Sequence, residues 1–198
     1  MNTCPTPAQP CIDPVPSTIS QLVEKNATDY VTIDGVRYFC TGDIGQITVS
    51  GGLQIIDRKK DLVKLQQGEY VALSKVENVL KGCTLVEVPM VYAESTYDHC
   101  IALICPSHVA LKELGKSLGC ASDDVATLCD DDKVIAEVTK QCLAACKGKL
   151  VGFEIPRKFG LIADTFTPEN EMLTSAFKLK RKPASDKHKA LINKLYGK

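Results

Sequence analysis

The chain has 198 residues, 44% of them hydrophobic, with 24 basic and 24 acidic side chains that cancel to zero formal charge. This apolar fraction supports a packed core and excludes global disorder. The charge balance lacks the basic excess of a general nucleic-acid or anionic-membrane binder.

Residues 1–17 hold five prolines (Pro5, Pro7, Pro10, Pro14 and Pro16), which predict an extended, disordered leader. A short helix is expected around Ser20–Ala27. Tyr30–Ile33, Val36–Cys40, Ile44–Val49 and Leu53–Asp57 read as strands from their β-branched and aromatic content, with Asp34-Gly35 and Ser50-Gly51-Gly52 as turns. Leu62–Lys64 predicts another strand, followed by a glycine loop at Gly68. Ser74–Leu80 predicts a helix opened by a capping box, with Ser74 as N-cap and Glu77 three residues on. Val86–Ala93 and Cys100–Cys105 predict an antiparallel pair. Helices are expected at His108–Leu118 and at Asp132–Cys146, the second with Val134, Val138, Cys142 and Ala145 on one face and acidic residues at its N-terminus. Phe159–Ile162 predicts a strand and Ala184–Leu195 an amphipathic helix. The fold class is α+β, with a three-stranded sheet flanked by helices behind a short β-rich segment.

The ten cysteines follow no zinc-ribbon spacing, as in Cys142-x-x-x-Cys146, and His99, His108 and His188 are scattered, so no metal site is expected. The start Met1-Asn-Thr-Cys-Pro-Thr-Pro has neither the basic nor the apolar region of a signal peptide. It predicts a chain that is not secreted, with reduced thiols serving as small core residues. No apolar run approaches the ~20 residues that cross a bilayer.

Four motifs carry chemistry. Thr41-Gly42-Asp43 puts a carboxylate at a tight turn, where its two acceptor oxygens could bind the vicinal hydroxyls of a ribose; taken alone, it is a hairpin turn with a solvated Asp. Asp57-Arg58-Lys59-Lys60-Asp61 sets five charges between apolar stretches and reads as an exposed linker or an ordinary charged turn. Gln66-Gln67-Gly68-Glu69-Tyr70 is a polar loop whose glycine permits close backbone approach to a ligand, or serves a plain turn. Thr174-Ser175-Ala176-Phe177-Lys178-Leu179-Lys180-Arg181-Lys182 could present a point cation to charge developing on a carboxylate and a phosphate, or form a basic patch. Neither a Walker A loop nor a dinucleotide fingerprint occurs.

Taken together, in this order, the motifs resemble the hinge region and terminal lysine motif of the AMP-forming acyl-CoA synthetases, most closely the long-chain fatty acid branch. The resemblance runs from about Val31 to Tyr196. It implies that Asp43 and Arg58 hold the ribose of ATP and of the acyl-adenylate, that Lys60 is the hinge, and that Gly68, Glu69 and Tyr70 line the coenzyme A tunnel. It implies Lys178 as the catalytic lysine, with Lys180 as runner-up. In the wider family a glycine precedes this lysine; Phe177 stands there, as in the long-chain branch. The implied domains are a leader (residues 1–29), the β-rich end of the large AMP-binding domain (30–57), the hinge linker (58–62) and the mobile C-terminal domain (63–198).

The implied function is part of a long-chain fatty acid–CoA ligase. Such an enzyme takes fatty acid, ATP and CoA, makes acyl-AMP, then forms the thioester. Mg2+ is expected with ATP, bound through the N-terminal domain that the resemblance does not cover. The expected location is the cytoplasm or the cytosolic face of the endoplasmic reticulum or another organelle. Membrane association would come through other sequence, and no nucleic-acid partner is expected. Because the phosphate loop, adenine pocket and acyl channel belong to that larger domain, the chain alone is expected to lack full activity. The alternative is a non-catalytic module that binds CoA, a nucleotide or a partner synthetase.

Overall fold

A computed structural model of the chain describes residues 6–7 and 29–198. The helix expected at Ser20–Ala27 and nearly all of the proline-rich leader lie outside the described residues. The chain divides into two compact units, Met1–Asp61 and Leu62–Lys198.

The described part of the first unit contains five strands. β1 (Thr6–Pro7), β2 (Tyr30–Ile33) and β3 (Val36–Phe39) form a sheet in the order β1-β3-β2. β4 (Asp43–Ile47) and β5 (Leu53–Arg58) form a separate antiparallel pair. β4 stops two residues before the predicted end at Val49, because Thr48 turns back: its amide and hydroxyl both donate to the Gly52 carbonyl, at 2.8 and 3.0 Å.

In the second unit, a short hairpin of β6 (Leu62–Lys64) and β7 (Tyr70–Ala72) leads into α1 (Leu73–Leu80). The sheet has the order β10-β9-β8, with β9 (Ile101–Pro106) in the centre. β8 (Val86–Tyr92) runs antiparallel to it and β10 (Lys158–Leu161) parallel. Every residue of β9 is buried, as befits a strand covered on both faces. Its side chains alternate between two cores. Cys100, Ala102 and Ile104 join Val76 and Leu80 of α1, Leu111 of α2 (His108–Ser117), Leu128 of α3 (Val125–Asp130), and Val134, Val138, Cys142 and Cys146 of α4 (Asp132–Cys146). Ile101 and Leu103 point the other way, to Met90, Phe166, Met172 and Leu173, and to Ala184 and Ile192 of α5 (Arg181–Lys187) and α6 (Lys189–Tyr196).

α4 has the predicted bounds. Asp131 caps it by accepting from the amides of Lys133 (2.8 Å) and Val134 (3.3 Å). The inward stripe ends at Cys146 rather than Ala145, which is only half-buried. α3 was not predicted; Asp124 caps it through the Thr127 amide. The terminal helix begins earlier than expected and bends at His188, whose backbone (φ −100°, ψ 21°) leaves helical values while its ring stacks on Phe166. The bonds from the amides of His188 to Ala184 and of Ile192 to His188 survive the bend.

α6 lies so close to the sheet that a Cβ on Gly160 would sit 3.1–3.2 Å from Leu191 and Leu195. Its end is pinned by Tyr196, which stacks on Tyr97 at 3.7 Å and donates toward the carbonyls of Tyr92 (3.3 Å) and His99 (3.2 Å). Burial pushes the Tyr196 phenol up from its usual pKa.

Among the described residues, six cysteines are buried: Cys83, Cys100, Cys105, Cys129, Cys142 and Cys146. Desolvation pushes the Cys100 and Cys129 thiols up to about 12 and Cys105 to about 11, so these are inert packing groups.

Candidate functional site

Asp43 and Arg58 are direct partners across the β4–β5 ladder. The antiparallel register brings together two residues that the sequence separates by a whole hairpin. The Arg58 Nε lies 3.7 Å from Asp43 Oδ1, with the side chains 68% and 36% exposed. That is an ion-pair distance but longer than a hydrogen bond, and an exposed pair of this kind contributes little to stability. A loose carboxylate–guanidinium pair leaves acceptors and donors available to a diol. The turn below is held by Thr41, whose hydroxyl accepts from the Asp43 amide at 3.2 Å, and by the Lys59 amide, which donates to the Gly42 carbonyl at 2.8 Å. Lys60 is exposed in the turn that follows β5, and the division between the two units falls directly after Asp61.

Gly68 and Glu69 lie in the β6–β7 turn, and Tyr70 opens β7 opposite Lys64. The Leu65 amide donates to the Glu69 carbonyl (2.7 Å) and the Gly68 amide to the Leu65 carbonyl (3.0 Å). Gly68 has φ +99°, and a Cβ there would meet nothing within 4 Å, so the backbone angle is what calls for glycine. Tyr70 is 41% exposed and carries Lys64 Nζ 5.9 Å above its ring.

Lys178 sits on a different hairpin of the second unit, between Met172 and Lys180. The Thr174 amide donates to the Lys178 carbonyl (2.8 Å), the Phe177 amide to the Thr174 carbonyl (2.8 Å), and the Lys180 amide to the Met172 carbonyl (2.8 Å). The Thr174 hydroxyl accepts from the Lys178 amide at 3.1 Å. Lys178 itself is exposed at the start of the outgoing arm, directly after the turn. Phe177, 75% exposed, has φ +55°. This is the left-handed region that favours glycine, which gives a physical reason for a glycine at the position before the lysine. Lys180, the runner-up, is half-buried and serves as the N-cap residue of α5.

Glu77 corrects the sequence reading. The N-cap of α1 is Ala72, with no side-chain cap, and Glu77 points inward. Its Oε1 accepts from the Val91 amide at 2.9 Å, and the Arg181 guanidinium donates to both oxygens at 2.6 and 2.9 Å. Neither residue was singled out in this role. The local signal for a cap, Ser74-x-x-Glu77, is also satisfied by an inward acid on the same helix face.

A cleft of about 270 Å³ lies elsewhere on the second unit, lined by Cys129, Asp130, Leu161, Asp164, His188 and Leu191 among others. It contains none of the predicted site residues. Burial lowers the His188 pKa, keeping the ring neutral. Among the described residues, no group of three or more His, Cys, Asp or Glu is placed to hold a metal, and no helix is long and apolar enough to cross a membrane.

No protein-family profile matches the chain. Long chain acyl-CoA synthetase 8 of Arabidopsis thaliana is 42% identical over 164 residues, covering 82% of this chain and 23% of that protein. Long-chain-fatty-acid–CoA ligase 1 of Saccharomyces cerevisiae is 36% identical over 180 residues, covering 88% and 25%. The chain thus spans about a quarter of the length of these curated relatives. Among solved structures, the adenylation domain of a Mycobacterium chelonae carboxylate reductase superposes with a TM-score of 0.75 at 28% identity, over 90% of this chain and 26% of that one. A two-domain piece of the Segniliparus rugosus carboxylic acid reductase, in complex with AMP, gives 0.73 at 28% identity, over 89% and 22%. The α+β architecture of the second unit matches the C-terminal domain of adenylate-forming enzymes.

Proposed function

We propose that this chain, whose homologues are long-chain acyl-CoA synthetases over more than four fifths of its length, serves as the hinge and mobile C-terminal domain of such an AMP-forming ligase. The reaction is activation of a fatty acid by ATP to acyl-AMP, then transfer of the acyl group to CoA. The observation that carries this reading is the 42% identity to the Arabidopsis synthetase over 164 residues. The geometry adds support, because Asp43 and Arg58 face each other at 3.7 Å, each with capacity to spare.

In this reading Asp43 accepts from the ribose hydroxyls and Arg58 donates to the ribose oxygens. Lys60 marks the hinge about which the second unit turns, with the residues from about 63 onward moving as one domain. Gly68, Glu69 and Tyr70 line the path of the CoA arm. Lys178, on its exposed hairpin, bridges the carboxylate and the α-phosphate as charge builds on both. Mg2+ would enter on the phosphates of ATP, and no residue of this chain is assigned to it. The compartment would be the cytoplasm or the cytosolic face of an organelle.

In the synthetase that carries this sequence, Lys178→Ala should slow adenylation by about 10²–10³-fold, as removal of a preorganised charge partner does elsewhere. Thioester formation from preformed acyl-adenylate should be largely spared. Equal loss of both half-reactions would overturn the role given to Lys178. The 198-residue chain alone should show no complete turnover, because it supplies only one wall around the reacting groups.

One observation favours a second reading, a stand-alone binding module: the second unit has a core on each face of its own sheet. Calorimetric titration of the chain with CoA tests it, and no saturable heat up to millimolar CoA would count against it.

A further inference from the structure

We infer that Glu77 and Arg181 form a positioning clamp that fixes the Lys178 hairpin to the body of the second unit. The inference rests on the reading of Lys178 given above and concerns how that lysine is held.

The two arms of the hairpin are anchored differently. The incoming arm ends in Met172 and Leu173, which are 7% and 6% exposed and packed in the second core. The outgoing arm, Lys178-Leu179-Lys180, has no fully buried side chain; Leu179 is only partly buried. Arg181 follows directly. Its guanidinium grips Glu77 with two parallel bonds, Nη1 to Oε1 at 2.6 Å and Nη2 to Oε2 at 2.9 Å, and Nη1 also points at the Val91 carbonyl at 3.4 Å. Glu77 is tied in turn to the Val91 amide at 2.9 Å. Three elements therefore meet at one carboxylate: α1, the edge strand β8, and the first residue of α5.

The chemistry of the pair favours orientation over simple adhesion. The Arg181 and Glu77 side chains are 25% and 11% exposed. An ion pair removed from water this far generally holds a fold no better than apolar side chains of similar size would. What the planar fork adds is a fixed direction, since two bonds to one carboxylate define an angle as well as a distance. Lys178 lies three residues from this fixed point, with the hairpin bonds at Thr174 and Met172 transmitting the placement to it. Both partners belong to the second unit, so a rotation of that unit would carry clamp and lysine together.

The test uses Arg181→Lys, which keeps the charge and loses the fork, and Glu77→Gln. Amide hydrogen exchange in the 198-residue chain is compared at Phe177, Lys178 and Lys180 and at Leu103 and Ile104 of β9. The same variants of the complete synthetase are assayed for adenylation. Arg181→Lys should speed exchange at the hairpin amides about tenfold while β9 keeps its protection, because the opening is local. Adenylation kcat should fall by up to about 100-fold, as for a misplaced catalytic group, with KM for ATP nearly unchanged. The charge-reversed double variant, Glu77→Arg with Arg181→Glu, should recover part of the hairpin protection.

Unchanged hairpin exchange in both single variants would overturn the clamp. So would a loss of protection that spreads equally through β9, because the pair would then be general scaffolding. Lys178→Ala fixes which idea has failed. If it cripples adenylation while Arg181→Lys does not lower kcat, the clamp is wrong and the reading of Lys178 stands. If Lys178→Ala leaves adenylation intact, the reading of Lys178 falls, and the inference falls with it.

Discussion

The residues before Leu62 and those after it meet the problem of burial in opposite ways. In the first unit Val31, Ile33, Val36, Phe39, Ile47, Leu53, Ile55 and Ile56 are all exposed, and Ile44 is the one described apolar residue of the unit in the buried class. In the second unit β9 is sealed on both faces by two separate cores. Backbone ladders alone make a marginal structure, and strands need an apolar partner layer to be stable. The second unit contains that layer. The first presents apolar strands that nothing among the described residues covers to the same degree.

This contrast can be broken most directly at β9. Leu103→Ala removes a fully buried side chain from the second core and should cost about 2–5 kcal/mol. The loss should register in urea unfolding followed at Tyr196, whose ring reports on the second unit. A cost below about 1 kcal/mol would mean that this core is loosely packed. A smaller effect with the opposite sign is expected at the lysine hairpin. Relieving a left-handed Phe177 is worth about 1–2 kcal/mol. Glycine gives back about 0.5–1 kcal/mol in chain entropy. Phe177→Gly should therefore stabilise the second unit slightly, read as a small rise in its melting midpoint. A fall would place Phe177 in a contact that outweighs its strain.

The smallest effect is expected in the first unit. Ile55 is 57% exposed, and Ile55→Ser should change the stability of the chain by no more than about 0.5 kcal/mol. A loss several times larger would show that its face is covered in solution and would erase the contrast.

What the sequence disclosed follows from the range of each interaction. β9 was legible because a run of six buried residues has few alternatives, and α4 because its apolar stripe, acidic cap and length agree. The parallel pairing of β10 with β9 was not legible, since Lys158 and Ile101 meet only after three helices have folded between them. α3 is short and flanked by acids, which read as loop. At the candidate site, the motifs around Asp43, Arg58, Gly68 and Lys178 read singly as turns or a basic patch, and only their joint order, through the family resemblance, singled them out. Glu77 was misread because its partner Arg181 lies 104 residues away, while the spacing to Ser74 that suggests a helix cap is only three residues. The left-handed backbone at Phe177 was not legible in this chain, because the glycine that would signal that conformation is replaced by phenylalanine.

The two-sided burial of β9 also sets an order of events during synthesis. α1 and β8 precede β9, and the helices that close its first face follow it directly. The second face, with Met90, Ile101 and Leu103, waits for Ile192 of α6. A nascent chain therefore carries an open apolar surface until α6 has left the ribosome. During that interval it is exposed to aggregation and chaperone capture, the hazard that comes with contacts distant in sequence.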